Sequence, residues 1–112
     1  MEEEKNYLPP SVGTTLKIAV TADIGNDKHL ADGDINFECM FHVDGMSSKK
    51  QTCTKEEMIY LDDDTYMAVV DSANIGVGKY YCLLTVWIPD EDAPDNIRIE
   101  KVRFPTNINV VK

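Results

Sequence analysis

The sequence predicts an all-β fold, a two-sheet antiparallel sandwich of about seven strands, on three observations. Apolar residues recur at every second position in segment after segment, and no stretch sustains a helical period. Gly, Asn, Asp and Pro punctuate these segments every eight to twelve residues or so, the spacing of sandwich turns. The length of 112 residues suits one domain with one core.

Each element follows from its pattern. From Thr15 to Ile24 the apolar set is Leu16, Ile18, Val20, Ala22 and Ile24, with Lys17, Thr21 and Asp23 between, which is a half-buried strand. Gly25-Asn26-Asp27 and Ala31 to Asp34 supply turn chemistry, because Asn, Asp and Gly tolerate the backbone angles of tight turns. Ile35 to Val43 is the clearest strand, with Ile35, Phe37, Cys39, Phe41 and Val43 inward and Asn36, Glu38, Met40 and His42 outward. Asp44-Gly45 ends it, and Lys49 to Thr54 is a short polar edge, since lysines blunt exposed strand edges.

Met58 to Leu61 and Thr65 to Asp71 form two short strands joined through the acidic turn Asp62-Asp63-Asp64. Asp71 to Gly76 has a capping residue at its start and Gly at its end, the punctuation of a single helical turn. Lys79 to Ile88 carries Tyr80, Cys82, Leu84, Val86 and Ile88 on one face. Pro89 to Asn96 is a loop by composition, and Ile97 to Val111 is a last long strand. There Ile97 and Ile99 share one parity and Val102 and Phe104 the other, so a bulge near Lys101 is expected to reconcile them, and Pro105 marks an edge or a second irregularity. The expected core comprises Leu16, Ile18, Val20, Phe37, Cys39, Phe41, Val69, Cys82, Leu84 and Val86. Residues 1–12 read as a charged N-terminal arm and residues 13–112 as the domain.

Tyr80 and Cys82 have the spacing at which immunoglobulin domains set their tyrosine corner beside a cysteine, so the sandwich is expected to be immunoglobulin-like. Cys39 and Cys82, on the inward parity of the second and sixth strands, are expected to face each other across the core. The antibody signature is otherwise broken: the single tryptophan, Trp87, lies on the sixth strand. Three cysteines cannot all pair within one chain, and they read as free, buried thiols; a Cys39–Cys82 disulfide would require an oxidising compartment.

Composition narrows the function classes. A chain that is 43% hydrophobic and 28% charged folds into a globule and is not disordered. Its net charge of -9 repels a phosphate backbone, which argues against a nucleic-acid partner. No apolar run approaches the roughly 20 residues of a membrane span, and the acidic start Met1 to Asn6 is unlike a secretory leader, so synthesis in the cytoplasm is expected. His29 and His42 stand apart from any nucleophile-spaced Ser or Cys, so no enzymatic activity and no catalytic residue is expected. The runs Asp62 to Asp64 and Asp90 to Asp95 lack the alternation and glycine of a calcium loop and read as solvated turns, with no metal and no cofactor expected.

A surface remains. The outward parity of the sixth strand is Tyr81, Leu83, Thr85 and Trp87, which makes that strand apolar on both faces, unlike a strand with one wet face. Either the arm at Tyr7-Leu8-Pro9-Pro10 or the far end of the last strand folds over it, or another subunit does. In the last case Tyr81, Leu83 and Trp87, joined by Tyr7 and Leu8 of the arm, are the expected contacts with a protein partner.

The segment Trp87 to Val110, "WIPDEDAPDNIRIEKVRFPTNINV", with "TLKIAV" at Thr15 to Val20 and "DINFECMF" at Asp34 to Phe41, resembles short proteins carried by phages and prophages of Bacteroides, including crAss-like phages. Those proteins resemble in turn the immunoglobulin-like module of phage baseplate upper proteins. The similarity spans Gly13 to Val110 and implies a non-enzymatic virion structural or assembly protein, a capsid accessory or a tail and baseplate adaptor. It would be made in the bacterial host cytoplasm and contact other virion proteins in a symmetric assembly. The alternative is a bacterial cell-surface adhesion or carbohydrate-binding module.

Overall fold

The computed structural model describes residues 9–44 and 49–112. Seven strands follow in order: β1 (Thr15–Thr21), β2 (Asn36–Val43), β3 (Lys50–Thr54), β4 (Ile59–Asp62), β5 (Thr65–Asp71), β6 (Gly78–Pro89) and β7 (Ile97–Val110). They form a three-stranded sheet, β1-β5-β4, and a four-stranded sheet, β3-β2-β6-β7, each antiparallel throughout. The two sheets pack as an immunoglobulin-like sandwich. No helix among the described residues is long and apolar enough to cross a membrane.

The core is the union of the inward parities. Leu16, Ile18 and Val20 of β1 with Tyr66, Ala68 and Val70 of β5 meet Phe37, Cys39 and Phe41 of β2 with Cys82, Leu84 and Val86 of β6. Phe37 and Tyr66 touch edge to face across the sheets, with ring centroids 4.9 Å apart. Leu30, Ile35 and Ile75, which lie outside the strands, are also fully buried. The β1–β2 loop that carries Leu30 is tied down by backbone bonds from Ala22 to Asp64 and from Ala31 to Asp63, and by Lys55 Nζ, which donates to the carbonyls of Asp32 (2.8 Å) and Ile35 (2.7 Å).

The turn after β5 is built around Ser72. Asp71 caps it by accepting from the Ala73 N–H at 2.9 Å, and the buried Ser72 hydroxyl accepts from the Gly13 N–H (2.7 Å) and donates to the Thr14 carbonyl (2.8 Å). Tyr80 then closes the tyrosine corner: its hydroxyl donates to the Gly76 carbonyl at 2.6 Å and lies 3.3 Å from the Ser72 carbonyl. Gly78 opens β6 at φ 138°, where a Cβ would stand 3.0 Å from Val43 Cγ1, so both backbone angle and space demand glycine.

Several expectations change. Val69 is 40% exposed and belongs to the outer face, because β5 registers Val70 with Leu16 and Val69 with Lys17. Two adjacent valines leave the parity open to a sequence reading, and the pairing with β1 closes it. Cys39 and Cys82 do not face each other across the core. β2 and β6 are neighbours in one sheet, with Cys39 opposite Leu84 and Cys82 opposite Phe41, so the two thiols meet diagonally along the same inner surface. β7 shows no bulge near Lys101: its register with β6 is unbroken from Ile97 to Pro105, and the irregularity falls between Pro105 and Asn109, where Asn107 takes φ 67°. Residues 10–12 run beside the end of the chain: Ser11 bridges Val111 in parallel, with bonds of 2.8 Å from Val12 N to the Val111 carbonyl and 2.9 Å from Val111 N to the Pro10 carbonyl. Tyr7 and Leu8 lie outside the described residues.

Candidate interaction surface

The antiparallel register of β2, β6 and β7 lays their outward side chains in rows. Tyr81 falls between His42 and Pro105, Leu83 between Met40 and Arg103, Thr85 between Glu38 and Lys101, and Trp87 between Asn36 and Ile99. Tyr81, Leu83 and Trp87 thus share the outer face of the four-stranded sheet, each half-buried, and Thr85 is buried among its neighbours.

The two ends of this spine differ. At the Tyr81 end the chain covers itself. The Arg103 guanidinium stands 4.2 Å from the Tyr81 ring centroid, and the His42 ring stacks at 6.1 Å. Arg103 is held there by Asp44 at 3.0 Å and by a 3.4 Å bond from its Nε to His42 Nε2. His42 Nδ1 lies 2.9 Å from the Val43 carbonyl, which requires Nδ1 to carry a proton and leaves Nε2 of the neutral ring to accept from Arg103.

At the Trp87 end the sheet is open among the described residues. Ile97 is 45% and Ile99 55% exposed, beside Trp87 and Pro89. Asp34, Asn36, Trp87, Pro89 and Ile97 line a groove of about 360 Å³. Pro89 also walls a second, polar cleft of about 400 Å³ between the β1–β2 and β6–β7 loops, where Lys28, Asp90, Glu91, Asp92 and Arg98 gather. There Arg98 binds Asp90 at 2.9 Å and Glu100 at 2.8 Å. The Asp92 N–H and then Arg98 hold the Asp90 carboxyl below its usual range.

Of the residues expected from the sequence, Tyr81, Leu83 and Trp87 come together on one face. Pro89, Ile97 and Ile99, which extend that face, were missed. Their signal was present: Ile97 and Ile99 opposed in parity to Val102 and Phe104 mark a strand apolar on both sides, the same signature as β6. The expectation of a bulge explained that signal away.

Cys39, Cys53 and Cys82 are buried and free. Cys39 is in register with Cys53 and is hydrogen-bonded to Cys82, and that bond, with burial, pushes its thiol far above the ordinary range. No cluster of three or more His, Cys, Asp or Glu among the described residues is arranged to hold a metal ion. Comparison with protein-family models, with curated proteins and with solved structures finds no match for this chain.

Proposed function

We propose that this chain is a non-enzymatic structural module that docks a protein partner on the outer face of its four-stranded sheet. The observation that supports this best is the apolar patch of Trp87, Ile97 and Ile99, set in cross-strand contact on an open sheet face. A water-facing strand ordinarily alternates, and contiguous exposed apolar surface on a soluble domain marks an interaction site. The sequence resemblance supports a phage particle as the assembly, with the chain as a capsid accessory or a tail and baseplate adaptor, synthesised in the host cytoplasm and incorporated into the virion.

The carbohydrate-binding alternative calls for aromatic rings at loop tips or on a concave face. The cleft between the β1–β2 and β6–β7 loops is lined by Gly25, Asn26, Lys28, Ile88, Pro89, Asp90, Glu91, Asp92 and Arg98, none of them aromatic, which favours the structural reading. The test is recovery of purified particles and quantification of this chain. A stoichiometric copy number, reduced about tenfold or more by Trp87→Ala, is expected. Absence from the particles, or unchanged incorporation of the variant, refutes the proposal.

A further inference from the structure

Resting on that reading of the sheet face, we infer the chemistry of the segment that fills the groove beside Trp87: a cationic Lys or Arg side chain next to an aliphatic one. The floor formed by Trp87, Pro89 and Ile97, with Ile99 alongside Trp87, is apolar and takes the aliphatic group. The rim is acidic. Asp34 lines the groove with its side chain 56% exposed, and its ion-pair partner Lys28 stands at 3.6 Å, a long contact. Across the shared wall at Pro89 the polar cleft adds Asp90, Glu91 and Asp92, against which stand Lys28 and Arg98, and Arg98 is already divided between Asp90 and Glu100.

Charge decides among occupants. A second copy would bring its own Asp34 and acidic loop, with a net charge of -9, against the same rim, and an anionic segment meets the same repulsion. A cation is attracted both by the rim and by the face of the Trp87 indole. The molecule already uses this pairing on the same sheet face, where the Arg103 guanidinium lies over Tyr81 at 4.2 Å.

Trp87 is the only tryptophan, so its fluorescence reports on this groove alone. The folded chain is titrated with the peptide acetyl-Gly-Leu-Arg-Leu-Gly-amide and with its Glu counterpart. A saturable spectral change is expected with the Arg peptide, at a midpoint at least tenfold below that of the Glu peptide. Asp34→Asn should raise the Arg-peptide midpoint about fivefold and leave the denaturant midpoint unchanged, while Asp62→Asn, away from the groove, should change neither. Equal response to the two peptides, no response to either, or indifference to Asp34→Asn overturns the inference. So does a dimer, seen by sedimentation, whose formation shields Trp87. The two proposals fail separately: loss of particle incorporation in Trp87→Ala without Arg-peptide binding keeps the docking face and sinks this ligand chemistry. Asp34-dependent peptide binding with unchanged incorporation does the reverse.

Discussion

Single residues bind this sandwich together where strands hand over to turns. Tyr80 was legible from its spacing to Cys82, and the reason for the spacing is the 2.6 Å bond that its buried hydroxyl makes to the Gly76 carbonyl. Tyr80→Phe is expected to cost about 1–2 kcal/mol, the net worth of such a bond plus part of the carbonyl's lost partner, read as a lower urea midpoint with unchanged m-value. Ser72 was legible only as part of a capped turn; its role in pairing Gly13 N and Thr14 O depends on chain segments 58 and 59 residues away. His29 offers a pH test. Its Nδ1 lies 3.0 Å from Asp64 Oδ1, and that hydrogen bond, with the charges of Asp64, Asp32 and Asp63, raises its pKa above the ordinary 6.5. The folded-state pKa exceeds the unfolded one, so the stabilisation is full below about pH 6.5 and is lost as the pH rises through the folded value. The difference in urea midpoint between the parent chain and His29→Asn should therefore shrink from pH 5.5 to pH 8.5. A constant difference would mean that the ring acts without its charge.

At the scale of elements, parity is the deciding variable. β5 contains Val69 and Val70 side by side, and only its register with β1 sends Val70 into the core and Val69 to the surface. A matched pair of substitutions checks this. Val70→Ala should cost roughly 1–3 kcal/mol, as a buried large-to-small change, and Val69→Ala about 0.5 kcal/mol or less. Comparable losses would show that the register is shifted. β6 and β7 present the other case, strands apolar on both faces. For β6 the sequence reading took this as a surface in wait for a partner. For β7 it invoked a bulge, because alternation alone cannot tell a two-faced strand from one that changes phase. The bulge near Lys101 is absent, and the irregularity comes after Pro105, which the sequence had marked, so Ile97 and Ile99 remain outward beside Trp87.

For the whole molecule, the arrangement of sheets decides what the cysteines do. Cys39, Cys53 and Cys82 lie within the inner surface of the four-stranded sheet, on three adjacent strands, and share the core with the side chains of β1 and β5. Access to them therefore requires the sandwich to open. Native protein under iodoacetamide should resist modification for as long as it stays folded, and in denaturant without reductant all three thiols should react, seen as three added carbamidomethyl groups by intact mass. A single modified cysteine would reveal a disulfide. The distribution of charge also belongs to this scale. The outward-facing charges of the four-stranded sheet are Lys50, Lys79, Lys101 and Arg103 against Glu38 and Asp44, in a chain of net charge -9. The acidic residues gather instead at the Trp87 end, where Asp34, Asp90, Glu91 and Asp92 stand, so the two ends of the face differ in charge. Trp87→Ala should lower the denaturant midpoint little while weakening docking most.

The all-β class, the seven strands, the turn positions and nine of the ten residues expected in the core were present in the order of residues, whereas Leu30, Met58, Tyr66, Ala68, Val70, Ile75 and Val110 join the core only in the structure. Period-two burial and turn chemistry are local properties, and they survive without knowledge of what packs on what. Which strands share a sheet was not local. Cys39 and Cys82 have the same parity in either arrangement, and only the β3-β2-β6-β7 order makes them neighbours instead of opposites. The open face was half legible for the same reason: Tyr81, Leu83 and Trp87 announce an apolar outer side, but cross-strand register alone decides that Arg103 and His42 close over Tyr81 while Ile99 and Ile97 extend the patch at Trp87. Register and sheet order are set by the summed burial of residues far apart in the chain, and no window of neighbouring residues contains that sum.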